Sequence, residues 1–199
     1  MPRGILLASI VAAGIGVHHP EAHAVDVSKE TREAAKARVA AALGGSASDV
    51  ELSAEPALDV GGCRFLRATH RARPGSHSGQ FALLPDDRMV DSFAADGASA
   101  DAILRACGAQ APAEWWAQVV TRFGGVGGVL VDPENSPSAV RKIREAGEAY
   151  APPTLDGARR MITFFVIHYE GNQAYKVTAR LAEAGGLQVT RTPLQPKAL

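Results

Sequence analysis

The stretch MITFFVIHYEGNQAYKVTARL, residues 161–181, carries the strongest structural signal in the sequence. Apolar and polar side chains alternate on both sides of Gly171-Asn172, a pair that is typical of two-residue hairpin turns. The pattern therefore predicts an antiparallel hairpin in which His168 faces Tyr175 across the strands. One face of this hairpin is apolar and is predicted to pack on the rest of the protein. That face consists of Ile162, Phe164, Val166, Val177, Ala179 and Leu181.

Helix and strand patterns surround this hairpin and predict an α+β fold, with antiparallel sheet packed on helices. Apolar periodicity, caps and turn residues give the bounds of each element. The predicted helices are 28–43, 99–107, 112–123 and 137–146, and the predicted strands are 50–57, 63–72, 80–84, 88–93, 161–170, 173–181 and 187–192. Residues 28–93 and 137–193 both run from a helix into strands, which suggests a coarse helix-plus-strands duplication without any residue-level repeat.

Length and charge limit the class of protein. The chain has 199 residues, with 21 Lys and Arg against 21 Asp and Glu, so its formal charge is zero. A dedicated nucleic-acid binder is usually basic, so we expect no nucleic-acid partner. Residues 25–199 are enough for a single α+β domain, or for two lobes over 25–97 and 98–199.

The N-terminal segment 1–24 has the layout of a secretory signal peptide. Arg3 supplies the positive charge, residues 4–17 form an uncharged apolar run, and an Ala-His-Ala motif ends at Ala24. Cleavage would leave Val25 as the first residue. The apolar run would span about 21 Å as a helix, which is short of the roughly 30 Å of a bilayer core. We expect a periplasmic or secreted protein, of a bacterium by its Ala-, Gly- and Arg-rich usage, with no membrane span in the mature chain.

The two cysteines are interpreted in the light of export. Cys63 and Cys107 are the only cysteines in the sequence. Exported compartments are oxidising, so we predict a disulfide between them, and two buried free thiols are the alternative. A catalytic dithiol is disfavoured because the sequence has no C-x-x-C motif.

Motifs for cofactors and metals are not found. The Gly-rich run 124–128 follows a helix instead of a strand, so it indicates a helix stop and a flexible connector and not a nucleotide loop. His70, His77 and His168 do not have the spacing of metal ligands. We therefore expect no cofactor and no metal site. Trp115 and Trp116 lie on the apolar stripe of a helix, which favours a core position over sugar stacking.

Two clusters are candidates for partner binding. The first is a basic segment, which would attract an anionic partner; solvated charges that block strand pairing are the alternative. Its candidate residues are Arg64, Arg67 and Arg71. The second lies near the hairpin turn and combines aromatic and basic groups, with an ordinary solvated hairpin end as the alternative. Its candidate residues are His168, Tyr169, Tyr175 and Lys176.

Function is predicted from these features together. The leading hypothesis is an exported, non-catalytic binding module for a protein or a cell-envelope component. The alternative is a secreted hydrolase whose site is assembled from dispersed side chains. Its best groups are Ser76, His77, Ser78, Asp86, Asp87, Asp132 and His168. A third interpretation is a structural subunit of the envelope, which an exposed apolar patch or stable oligomers would favour.

Overall fold

A computed structural model describes residues 27–71, 78–93, 97–168 and 171–196. Four helices lie in these ranges: α1 Lys29–Leu43, α2 Ala98–Cys107, α3 Ala113–Phe123 and α4 Pro137–Glu145. The strands are β1 Val50–Ala54, β2 Arg64–His70, β3 Ser78–Leu83, β4 Met89–Asp91, β5 Val129–Leu130, β6 Thr154–Asp156, β7 Met161–His168, β8 Gln173–Leu181 and β9 Leu187–Pro193. The predicted signal peptide and its cleavage residues, Ala24 and Val25, lie outside the described residues.

Two antiparallel sheets confirm the predicted α+β class. The first sheet is a meander in the order β1-β2-β3-β4. The second has the order β5-β7-β8-β9, and β6 pairs with β7 on the same side as β5. Because the strand orders of the two sheets differ, the shared helix-then-strands pattern does not establish a duplication, which stays a prediction.

Helices cover both faces of each sheet. Helix α1 packs on one face of the first sheet, where Ala35 and Val39 meet Leu66, Ala68 and Phe81. Helix α4 packs on one face of the second sheet. The largest core cluster joins α2 and α3 to the remaining faces of both sheets. This order of layers places one side of α3 between the two sheets, where the candidate site lies.

The central hairpin keeps its predicted faces and changes its register. His168 pairs with Gln173 and Tyr175 with Val166, so the pairing is shifted by two residues from the prediction. A two-residue turn of the predicted type needs a positive φ at Gly171, but here Asn172 has φ 46° and Gly171 has no positive φ. A shift of two returns every side chain to the same face. All six residues of the predicted apolar face are accordingly buried.

The sequence pattern missed two short strands. Strands β5 and β6 have two and three residues, which is too short to show any alternation. Strand β1 ends at Ala54, three residues before the predicted end, because a 3₁₀ turn begins at Pro56. The missed strands matter because β5 forms a wall of the candidate site.

A disulfide joins Cys63 to Cys107, as predicted. The two Cα atoms are 6.0 Å apart, and the bond links the start of β2 to the end of α2. Gly61 lies against this joint, since a Cβ at that position would be 2.8 Å from the carbonyl oxygen of Cys107. The bond fits the oxidising compartment expected from the sequence. Among the described helices, none combines the length and the apolarity that a membrane crossing requires.

Both tryptophans lie in the core, as their helical spacing predicts. Trp115 and Trp116 are each 4% exposed. Their indole N–H groups donate hydrogen bonds to the carbonyl oxygens of Leu58 at 2.7 Å and Gly108 at 2.9 Å. Buried indoles with satisfied donors stabilise α3 and leave no flat ring for sugar stacking.

Candidate functional site

A cleft of about 680 Å³ opens between the two sheets along α3. One wall is the polar stripe of α3, and the opposite wall is β5 with the loop that follows it. Gln80 of β3 and the segment 150–153 complete the walls. The lining consists of Gln80, Glu114, Gln118, Thr121, Arg122, Gly128, Val129, Leu130, Val131, Asp132, Pro133, Asn135, Ser136, Tyr150, Pro152 and Pro153.

Helix α3 presents different residues to the core and to the cleft. Its core side contains the tryptophans, while Glu114, Gln118, Thr121 and Arg122 follow each other at spacings of four, three and one residues. Residues three and four apart share a helix face, so these four side chains form one stripe. The burial of the tryptophans therefore fixes the direction in which the polar stripe points.

An ion-pair network fixes Arg122 at the cleft. Its Nη1 donates to Glu55 Oε2 at 2.7 Å, and Arg67 Nη2 lies 2.6 Å from Glu55 Oε1. The carboxylate of Glu55 is thus shared by two guanidinium groups, one from α3 and one from β2. The single negative charge of Glu55 compensates half of the positive charge that Arg122 and Arg67 bring to the site.

Asp132 keeps its negative charge at the mouth of the cleft. The side-chain amide of Asn135 donates to Asp132 Oδ2 at 2.6 Å, and the backbone N–H of Glu134 donates to Oδ1 at 2.9 Å. These hydrogen bonds stabilise the carboxylate and hold the pKa of Asp132 below its ordinary value, with the Asn135 amide as the largest cause. The turn also aligns the start of α4, where Ser136 N–H donates to the Asp132 carbonyl at 2.7 Å.

Tyr150 is held in place as an aromatic wall. Its hydroxyl donates to the carbonyl oxygen of Val131 at 3.2 Å, and its ring centroid lies 6.1 Å from that of Phe165. Burial, and secondarily the charge of Asp132, raises the pKa of the Tyr150 hydroxyl, so the group is neutral at physiological pH. The ring therefore presents a neutral aromatic surface close to a fixed carboxylate.

Gln80 contributes a hydrogen-bond acceptor that is not used. Its backbone N–H donates to Ser92 Oγ at 2.9 Å, which fixes the strand at this point. Its side-chain Oε1 is buried and has no hydrogen-bond partner in the part of the chain that the structure describes. Buried polar atoms are almost always satisfied, so this acceptor would gain a partner if the Gln80 amide turned toward a ligand in the cleft.

Two arginines of the predicted basic segment are paired with carboxylates. Arg67 pairs with Glu55, and Arg71 makes two hydrogen bonds to Glu51 Oε2, at 2.8 and 3.1 Å. Arg64 is half-buried at the start of β2. Carboxylates on neighbouring segments thus form ion pairs with two of the three arginines. The order of basic residues along the sequence does not show these pairs.

The predicted hairpin cluster is divided by the sheet. The rings of His168 and Tyr175 lie 5.0 Å apart on one face. Lys176 points to the other face, where its Nζ lies 3.0 Å from Glu148 Oε2. The fourth candidate, Tyr169, lies outside the described residues. Adjacent residues of a strand point to opposite faces, so His168 and Tyr175 can act together but Lys176 cannot join them.

The glycine-rich run is a close-packed segment and not a flexible connector. Gly124 ends α3, as predicted, but Gly127 and Gly128 then have φ values of 69° and 75° and lie against the imidazole of His168. A Cβ on Gly128 would be 2.7 Å from both His168 Cδ2 and the carbonyl oxygen of Ile167. Glycine is needed here for two reasons, the left-handed backbone and the close approach.

Substitution of Gly128 by alanine is expected to destabilise the protein by about 3 kcal/mol, because left-handed strain adds to a collision with backbone. Gly186→Ala is the matched control, since Gly186 has φ 90° and nothing within 4 Å of a Cβ. This control variant is expected to lower the free energy of unfolding by only about 1–2 kcal/mol, from the left-handed backbone strain alone. Urea unfolding followed by circular dichroism measures both. Equal losses for the two variants would contradict the close packing at His168.

The two described histidines lie in different sheets, His70 in β2 and His168 in β7. His168 contacts Tyr175 and the glycine backbone, and its Nε2 has no hydrogen-bond partner among the described residues. His70 is buried in the first sheet, 3% exposed, while Ser76 and His77 lie outside the described residues. The hydrolase alternative also named Asp86 and Asp87, which are exposed in the turn between β3 and β4. Within the ranges that the structure describes, no three His, Cys, Asp or Glu side chains are placed to hold a metal ion.

Comparison with protein-family models, with curated proteins and with solved structures finds no match for the chain. The sequence did not predict the cleft, apart from Asp132, which was a candidate only of the hydrolase alternative. The spacing of Glu114, Gln118 and Arg122 on α3 was the one signal that could have pointed to it.

Proposed function

We propose that this chain is an exported, non-catalytic binding module for a protein or a cell-envelope component, and that it binds its ligand in the cleft between α3 and β5. The observation that carries the proposal is the cleft itself. Its volume of about 680 Å³ falls within the range of ordinary ligand sites, roughly 300–1,000 Å³.

The rigidity of the walls supports binding. Tyr150, Asp132 and Arg122 are each held by hydrogen bonds to neighbouring groups, at 3.2, 2.6 and 2.7 Å. Side chains that are already ordered lose little conformational entropy when a ligand arrives. A preformed site of this kind is better suited to recognition than a cleft whose walls must first be ordered.

The chemistry of the lining favours binding over hydrolysis. Amides, prolines and aliphatic groups dominate the walls, and Val129 is the one exposed large hydrophobic side chain of the described residues, at 45% exposure. No histidine lies in the described lining. Asp132 has a lowered pKa and is a poor proton donor at neutral pH. Export is supported by the disulfide between Cys63 and Cys107.

Obstruction of the cleft is expected to abolish partner capture. Gln118 points from α3 into the cleft, so Gln118→Arg places a long charged side chain in the site. Gln188→Arg introduces the same change on β9, at an exposed position outside the lining. The purified full chain is immobilised and exposed to cell-envelope extract, and mass spectrometry then quantifies the bound species. We expect the amount of captured partner to fall at least tenfold for Gln118→Arg and to stay unchanged for Gln188→Arg.

Both variants are first checked for wild-type thermal melting, so that a loss of capture reports on the cleft and not on folding. Equal capture by the wild type and by Gln118→Arg would overturn the cleft as the binding site. Turnover of an ester or peptide substrate that Gln118→Arg abolishes would instead support the hydrolase alternative.

A further inference from the structure

We infer that the cleft selects a cationic ligand, an alkylammonium or guanidinium group that enters between Tyr150, Asp132 and Glu114. The inference rests on the proposed function, since it names the chemical class of ligand for the same site. Two sources carry this chemistry, a free polyamine and a lysine or arginine side chain of a peptide.

The balance of charge in the cleft is the first argument. The lining contains two carboxylates, Glu114 and Asp132, and one guanidinium, Arg122. Arg122 is already paired with Glu55. In the described part of the chain neither Glu114 nor Asp132 forms an ion pair. Glu55 is shared with Arg67, so these five side chains carry three negative and two positive charges, a net charge of −1 that attracts cations.

The aromatic wall is the second argument. A cation is attracted to the face of a tyrosine ring as well as to a carboxylate. The Tyr150 hydroxyl donates to the carbonyl oxygen of Val131 at 3.2 Å, which places the ring beside the residue that precedes Asp132. The combination of ring and carboxylate favours a cation with an aliphatic stem, because Pro133, Pro152 and Pro153 supply apolar surface beside the charge.

The unused acceptor of Gln80 is the third argument, and it is independent of the carboxylates. An ammonium group has three N–H donors and a guanidinium has five, and neither has an acceptor. Gln80 Oε1 has no partner in the described ranges and is shielded from the cleft, so such a ligand satisfies it, together with the two carboxylates, once the amide turns toward the cleft. An anionic ligand would leave this acceptor unsatisfied and would be repelled by Glu114 and Asp132.

Isothermal titration of the purified full chain tests the inference with four probes: spermidine, trilysine, triserine and triglutamate. We expect trilysine or spermidine to bind and the other two to fail. Glu114→Gln and Asp132→Asn should each weaken binding about threefold, and about tenfold together, as exposed charge pairs do. Glu183→Gln, an exposed carboxylate in the turn between β8 and β9, is the matched control and should change nothing.

Tyr150 provides a variant pair that separates the aromatic contact from the hydroxyl. Tyr150→Phe keeps the ring and loses the hydrogen bond to Val131, whereas Tyr150→Leu loses both. We expect Tyr150→Phe to retain binding of the cation to within about threefold and Tyr150→Leu to weaken it by tenfold or more. Equal effects of the two variants, with unchanged melting temperatures, would overturn the role of the ring.

The outcomes distinguish this inference from the proposed function. Binding of triserine or triglutamate that Gln118→Arg abolishes would overturn the cationic class and leave the cleft as a binding site. Failure of all four probes, with capture from extract still dependent on the cleft, would also overturn the inference alone. If all four probes fail to bind and Gln118→Arg leaves capture from extract unchanged, both the cationic class and the cleft as the binding site are overturned. Binding of spermidine alone would assign a free polyamine, binding of trilysine alone would assign a basic peptide, and equal binding would assign the alkylammonium group that the two share.

Discussion

Replacement of Ile162 by aspartate is expected to unfold the protein. Ile162 is 0% exposed in the core cluster that joins both sheets to α2 and α3. A carboxylate there has no partner, and its burial costs about 4 kcal/mol or more, in addition to the lost apolar packing. That cost approaches the whole stability of an ordinary domain, about 5–15 kcal/mol. Phe164→Asp, at 1% exposure, is expected to have the same effect.

Urea unfolding followed by circular dichroism measures this effect, and Val129→Asp is the matched control. Val129 is also a β-branched residue of the second sheet but is 45% exposed, so its replacement should cost no more than about 1 kcal/mol. A folded Ile162→Asp protein with wild-type stability would show that the even-numbered face of β7 is not the core face.

Loss of the disulfide is expected to be the second largest effect. The bond between Cys63 and Cys107 closes a loop with a sequence separation of 44. The chain-entropy model assigns about 4 kcal/mol to a loop of this length, as an upper-end value. For a chain of this size that corresponds to a fall in Tm of roughly 10 °C. Thermal melting with and without reductant measures the shift directly.

The double variant Cys63→Ala/Cys107→Ala is the control for this experiment. It should melt at the reduced temperature whether or not reductant is present. Unchanged melting of the wild-type chain on reduction, together with two titratable thiols in the untreated protein, would contradict the bond.

The fold could be predicted from the sequence where periodicity is long enough to show. Strands β7 and β8 have eight and nine residues, and their alternation identified the core face correctly. The register was wrong by two residues because the pair Gly171-Asn172 does not specify which residue takes the positive φ; Asn172 does so. Side-chain alternation cannot detect an error of two residues, since both registers bury the same face.

The candidate site could not be predicted because its parts are distant in the sequence. Gln80 comes from the first sheet, Gln118 from α3 and Tyr150 from the segment before β6, and each looks like an ordinary polar residue in its own neighbourhood. The sequence instead favoured charges that cluster along the chain, such as Arg67 and Arg71. Their carboxylate partners, Glu55 and Glu51, come close only through the sheet pairing and the adjacent turn, so the sequence could not show that these charges are paired.

Site-specific photo-crosslinking tests the binding cleft most directly. A photoreactive phenylalanine analogue replaces Val129, which lines the cleft and is 45% exposed, or Gln188 as the control, in the full chain, which is then irradiated in cell-envelope extract. We expect a discrete covalent adduct at position 129, at the cleft, and none at position 188. An adduct at position 188 with none at 129 would contradict binding in the cleft and would move the binding surface to the β9 edge of the second sheet.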